Sequence, residues 1–252
     1  MASKIIVDQL EKTGGALTAL TLPTSNASAS EFLQNDGAGA LSWASASAGF
    51  SGVHQDATSG SSTYTVPAGI TKLLVIITGG GGSGSSGIAA TANGGGGCSA
   101  GTVMARVTVV ATDTITIAIG AGGVATANST GTVGNVGGDS TFTHASGSGS
   151  FDTITAPGGR AGVLFNTMPA VPVAPTVGAS NEGIAIKGGS SNHNDSGAAG
   201  FWGCGGTQGI ATVTGGAPGV AFGSGGGGGT YTAGLYTGAA GCDGVCFIME
   251  FK

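Results

Sequence analysis

The sequence predicts an all-β protein: a β-sandwich-like domain with long glycine-rich loops, preceded by an extended N-terminal arm. Three observations predict it. Apolar residues fall in short runs, some strictly alternating, and glycine stops nearly every one. No stretch reads as a helix longer than a turn or two. Finally, 54 of the 252 residues are glycine and only 8% are charged, against roughly 7% and 25% in an ordinary chain.

Composition excludes several classes. Disordered chains combine low hydrophobicity with high net charge, whereas here 40% of residues are apolar and mean hydropathy is positive. Collagen is excluded because glycine does not recur at every third position. The net charge is −5 and the seven basic residues are scattered, so no basic stripe exists to hold a nucleic acid. No run of about 18 apolar residues is present, so no helical membrane span is expected. The opening residues are too polar and the run too short for a signal peptide. Four cysteines, Cys98, Cys204, Cys242 and Cys246, are too few for a disulfide framework in this length. Assembly in a reducing cytoplasm follows from these readings. Each ordered glycine costs about 0.5–1 kcal/mol of extra backbone entropy. Tens of them call for compensation, either by dense backbone hydrogen bonding or by association of subunits.

The elements follow in order. Ile5-Ile6-Val7 reads as a short strand. Residues 20–44 carry Leu20, Leu22, Phe32, Leu33, Leu41 and Trp43, with a hairpin turn at Asn35-Asp36-Gly37. This stretch is too small to bury its own apolar residues, so residues 1–50 read as an arm that packs on other chains. Its anchoring candidates are Ile5, Ile6, Leu22, Phe32, Leu33 and Trp43. Residues 45–50 read as a linker, and residues 51–252 as one glycine-rich domain. Thr63–Pro67 leads into Lys72–Thr78, which is apolar on both faces and therefore central. Thr102–Val110 places Val103, Ala105, Val107 and Val109 on one face, and Asp113–Ile119 alternates with Ile115, Ile117 and Ile119 inward. Thr141–Thr143 and Phe151–Thr155 are short strands. The closing run, 244–251, is again apolar on both faces, so it inserts between strands, beside 72–78. Residues 160–243 read mostly as loop, with three prolines in 168–177.

Chemical motifs are weak. Gly82-Ser83-Gly84-Ser85-Ser86-Gly87 matches G-x-G-x-x-G after a strand, but neither the helix nor the acidic residue that a dinucleotide needs follows it. Cys242-x-x-x-Cys246 offers one pair where structural zinc needs four ligands, and buried free thiols are the simpler reading. No carboxylate pair of the kind glycosidases use can be read from the spacing. The expectation is a non-enzymatic protein with no catalytic residues, no metal and no cofactor. Aromatic rings in the glycine tracts, Phe201, Trp202, Tyr231 and Tyr236, together with His193, are candidates for receptor contact, since rings give contact area at low entropy cost. The competing reading is that they cap the core or fill a trimer axis.

Two resemblances rest on these residues. LPTSNASASEFLQNDGAGALSWA, residues 22–44, resembles a short module near the N-termini of phage tail fibres and other virion proteins. TYTVPAGITKLLVIITGGGG, DTITIAIGAGG, GGDSTF, ITAPGG and GAAGCDGVCFIMEF together resemble a glycine-rich domain family of phage and bacterial proteins. That resemblance implies glycine tracts packed as polyglycine II layers or displayed on a trimeric fibre, and it brings no catalytic residues. The expected function is a bacteriophage virion protein, a homotrimeric tail fibre or adhesin contacting a host receptor and held to other virion proteins by residues 1–50. The alternative is a capsid decoration or head-fibre protein.

Overall fold

A computed structural model describes residues 9–10, 20–28, 31–35, 40–45, 49–88, 92–164, 172–191, 196–209, 215–230 and 237–252. The chain divides into two compact units, residues 1–49 and 50–252. In the first, β1 (Gln9–Leu10) pairs with β2 (Leu20–Thr21), and β3 (Glu31–Asn35) pairs antiparallel with β4 (Leu41–Ser45), Leu33 opposite Trp43. The expected hairpin is thus present. Its turn residues Asp36 and Gly37, and the strand expected at Ile5–Val7, lie outside the described residues.

The second unit is all-β. A five-stranded sheet has the order β12-β8-β7-β13-β5 and a four-stranded sheet the order β11-β10-β9-β6, with every neighbour antiparallel. The strands are β5 (Phe50–Asp56), β6 (Gly60–Thr65), β7 (Lys72–Thr78), β8 (Thr102–Thr108), β9 (Thr114–Ile119), β10 (Ser140–Ser146), β11 (Ile154–Ala156), β12 (Glu182–Ile186) and β13 (Val245–Phe251). Alternate residues of each strand point to one side, and the apolar ones meet between the sheets. Leu73, Val75, Ile77, Val103, Ala105, Val107, Cys246 and Ile248 from one sheet face Tyr64, Ile115, Ile117, Phe142 and Ile154 from the other. β13 lies between β7 and β5, as its two-sided apolar character requires.

Where the strands end, the glycine segments begin. Segment 79–87 continues β7, and the segments before β8, β10 and β13 and after β9 and β11 run beside it. Its hydrogen bonds rotate among neighbours with a period of three. The amides of Gly79, Gly82 and Ser85 donate to Gly101, Cys98 and Gly95 at 3.2, 2.9 and 2.9 Å. Those of Gly80, Ser83 and Ser86 donate to Gly138, Asn135 and Thr132, and those of Gly81 and Gly84 to Cys242 and Ala239. In return, the carbonyls of Gly80 and Ser83 accept from Gly159 and Gly162, that of Gly81 from Gly123, and those of Gly82 and Ser85 from Gly226 and Gly229. Six segments therefore surround this one. A repeat of three residues per turn without internal hydrogen bonds is that of the polyproline II helix, and its side-by-side packing here is polyglycine II. Segment 223–230 is a second hub. It bonds to 79–87, 94–100, 198, 206–209, 217 and 239–243.

Close packing of this kind explains the glycines. A Cβ on Gly81 would overlap the carbonyl oxygen of Ser224, and one on Gly226 that of Ala239. Where a side chain does occur, it completes the network. Ser83, Ser86, Ser99 and Thr126 each donate their amide to the carbonyl of Asn135, Thr132, Gly189 and Gly238. The hydroxyl of each then accepts the same partner's amide, at 2.7, 2.5, 2.7 and 2.7 Å respectively.

Three expectations are corrected. The glycine tracts 79–87, 94–101 and 223–230, expected as long loops, are packed and buried, because their neighbours satisfy their backbone groups. Phe50 opens β5 instead of ending a linker, since β13 offers its free edge to that segment. Glu182–Ile186, read as loop, is the edge strand β12 on β8.

Candidate functional site

Phe201 and Trp202 form the corner of a two-residue turn, closed by the Gly200 amide donating to the Gly203 carbonyl at 2.8 Å. Their rings meet edge to face, with centroids 5.0 Å apart. Trp202 is half-buried. It lies against Phe247 of β13, with centroids 5.0 Å apart, and its indole N–H donates to the hydroxyl oxygen of Thr78 at 2.9 Å. That hydroxyl in turn bonds the Thr102 hydroxyl at 2.8 Å, so the corner is tied to the ends of β7 and β8. Phe201, braced by Trp202, remains 45% exposed. It walls a cleft of ≈ 200 Å³ with Ser99, Thr102, Lys187, Gly189 and Ala199. A fixed ring beside a lysine and backbone polar groups can bind an apolar or mixed ligand surface with little ordering cost.

Several ionisable groups have structural partners. Asp113, fully buried at the head of β9, accepts amide hydrogens from Val110 (2.8 Å), Ser148 (3.0 Å) and Gly149 (3.2 Å). Burial alone would raise its pKa, but these amides, Val110 foremost, and the nearby His144 hold it below the usual carboxylate range. His144 Nε2 lies 3.7 Å from Asp113 Oδ2 and has no hydrogen-bond partner among the described residues. Thr112, beside Asp113, sits at φ 71°, a conformation unfavourable for a β-branched residue, and its amide is anchored to the Val66 carbonyl at 2.9 Å. Tyr64 donates to Glu250 at 2.7 Å, and burial and that carboxylate push its pKa up. Asp139 and Asp243 accept the amides of Gly158 and Gly122 at 2.8 and 2.7 Å, capping bundle segments.

The cysteines do not converge. Cys246 is buried in the core, where burial and then Asp56 raise its pKa. Cys242 is half-buried and raised by burial and then Asp243. Cys98 is buried and Cys204 exposed, and none of the four forms a disulfide. Among the described residues no three His, Cys, Asp or Glu side chains lie close enough to hold a metal ion. The G-x-G-x-x-G motif is the last six residues of segment 79–87. The amides of Gly82, Ser83, Gly84, Ser85 and Ser86 are all given to neighbouring carbonyls, which leaves none of these five to cradle a pyrophosphate.

Of the anchoring candidates, Phe32 and Leu33 are 51% and 43% exposed, and Leu22 and Trp43 are half-buried. The Trp43 indole N–H donates to the Ser25 carbonyl at 2.6 Å. Ile5 and Ile6 lie outside the described residues, as do the receptor-contact candidates His193, Tyr231 and Tyr236. The structure thus brings together Phe201 and Trp202 from that set. Sequence reading missed the partners that fix them, Thr78 and Phe247, which lie at distant positions on β7 and β13. Their signal was present only as outward-facing members of strands apolar on both faces.

The family model of a glycine-rich domain matches residues 56–249, which spans nearly all of the second unit. No curated protein matches the chain.

Proposed function

Because the chain belongs to the glycine-rich domain family, we propose that it is a non-enzymatic structural protein of a bacteriophage virion, acting as a homotrimeric tail fibre or adhesin on the host surface. The observation that carries this reading is the Phe201–Trp202 corner. An exposed ring is held on a scaffold whose backbone groups are bonded to one another, so a receptor meets a surface already in its binding shape. The bundle itself supports a structural role, since its interior is built of backbone rather than of side chains that could do chemistry. The resemblance of residues 22–44 to a phage-fibre module supports an anchoring role for residues 1–50.

The test is binding of the full chain to host cells, compared with Phe201→Ala. A loss of tenfold or more in affinity is expected, since ring contacts of this kind dominate interfaces. Equal binding by the variant would remove the corner from the reading. Labelled particles separate the two virion positions. Signal at the tail tip supports the adhesin, and signal on the capsid replaces it with the decoration protein.

A further inference from the structure

The outer face of the five-stranded sheet is exposed at its edge strands β5 and β12, while Leu74, Met104, Phe247 and Met249 are half-buried and Ile76 is buried between them. Leu73, Val75 and Ile77 point into the core, so Leu74 and Ile76 point outward. By the same register Met104 of β8, Phe247 and Met249 of β13, Val53 of β5 and Ile184 of β12 share that outer face. At its far end Phe50 and Phe251 meet ring to ring, with centroids 6.2 Å apart. Val53, Phe50 and Ile184 are 58%, 61% and 63% exposed. Trp202 covers the corner nearest the glycine bundle, at Phe247 and Thr78.

We propose that this face is the interface between copies of the chain, with a second copy as its occupant. The inference deepens the oligomeric part of the function proposed above and rests on that part alone. Size supports it. Four strands of seven residues and one of five, about 4.8 Å apart and rising about 3.3 Å per residue, project to roughly 520 Å². A standard interface takes about 800 Å² of accessible surface from each partner, and side chains standing off the plane bring the face toward that figure. Charge supports it as well. Arg106 and Glu182 on this face form an ion pair with each other, which leaves Lys72 at the end of β7. Copies of this face gathered around the threefold axis of a homotrimer can therefore approach without the like-charge repulsion that a charged sheet surface would impose. An unpartnered apolar face of this extent on a monomer would instead favour non-specific association.

Sedimentation of the full chain at micromolar concentration tests the proposal, with Val53→Glu and Ile184→Glu as variants. Both residues are exposed at opposite edges of the face, and far-UV circular dichroism checks that each variant keeps its strands. The wild type is expected to associate. Each variant is expected to raise the dissociation constant by tenfold or more. An oligomer that persists unchanged in both variants overturns the interface while leaving an oligomer elsewhere on the surface. A monomeric wild type, the result expected if another segment of the same chain covers this face, overturns the interface and the oligomer together.

Discussion

The glycine bundle continues the chains of the sandwich beyond the strand ends, yet the two regions exclude water by opposite means. In the sandwich, neighbouring chains bond in continuous ladders, and branched side chains such as Ile117 and Ile154 fill the space between the sheets. In the bundle each chain bonds to a given neighbour only every third residue, and it must therefore touch several neighbours to satisfy its backbone. Only a chain without side chains can be approached from all those directions. Burial in the sandwich is a matter of apolar area. In the bundle it is a matter of saturating polar groups, each bond contributing about 0.5–1.5 kcal/mol net, a magnitude similar to the entropy each glycine loses. Tolerance to substitution should consequently be inverted between the two regions: removing atoms damages one, and adding them damages the other.

The largest expected effect tests the sandwich half. Phe142 is fully buried and stacks on Phe151, with centroids 5.5 Å apart. Phe142→Ala should cost about 3–5 kcal/mol, read as a fall in the urea midpoint at constant slope. A cost under about 1 kcal/mol would mean that the core is not packed around this ring.

The bundle half is tested by Gly81→Ala, which should cost about 1–3 kcal/mol although it adds one methyl group and lowers the entropy of the unfolded chain. That methyl would overlap the carbonyl oxygen of Ser224, itself the acceptor for the Cys242 amide at 3.0 Å. Gly49 is the contrast, since an added Cβ there meets none of the described residues within 4 Å. Gly49→Ala should be neutral or stabilising by up to about 1 kcal/mol. Equal effects at the two sites in thermal denaturation would break the comparison.

How far the sequence announced these two regions follows from the same contrast. The sandwich strands were legible because side chains record their surroundings: alternation in Thr114–Ile119 names the inner face, and the two-sided runs of β7 and β13 name the centre of a sheet. The edge strands β5 and β12 were not, because Phe50–Asp56 and Glu182–Ile186 are mostly exposed and take their conformation from the neighbour they pair with. Glycine records almost nothing. The tracts were visible, but the rotation of bonding partners was not, since no side chain marks which segment lies on which side. Part of the code was nevertheless present in the hydroxyls. Ser83, Ser86, Ser99 and Thr126 look like ordinary loop residues in sequence, yet each one marks a pairing of two segments. The Phe201–Trp202 corner was legible as residues and not as a site, because its supports come from Thr78 and Phe247.

Asp113 carries a pH dependence that belongs to the sandwich end of the comparison. Its folded pKa is lowered, so its contribution is present above the unfolded carboxyl value of about 3.9 and is lost as pH falls through the folded value. Asp113→Asn should therefore destabilise the protein near neutral pH, and the gap to wild type should narrow below about pH 4. Parallel pH–stability curves for the two proteins would show that the carboxylate's charge contributes nothing.

The smallest effect discriminates most finely, because it leaves packing untouched. Ser83 is fully buried in the central segment, and its hydroxyl accepts the Asn135 amide at 2.7 Å while its own amide donates to the Asn135 carbonyl at 2.8 Å. Ser83→Ala keeps the Cβ and every backbone bond of segment 79–87, and removes one acceptor. If the bundle is held by backbone saturation, the Asn135 amide loses its partner and the cost is about 1 kcal/mol. Hydrogen exchange at Asn135 should quicken more than at Cys98 or Ala239, whose segments border the same chain through other bonds. A uniform rise in exchange across all three would mean that the segments open as one body, and the hydroxyl would then be an ordinary contributor to stability. A rise confined to Asn135 would instead show that each three-residue register is locked locally, by the side chain that stands where a second backbone acceptor is missing.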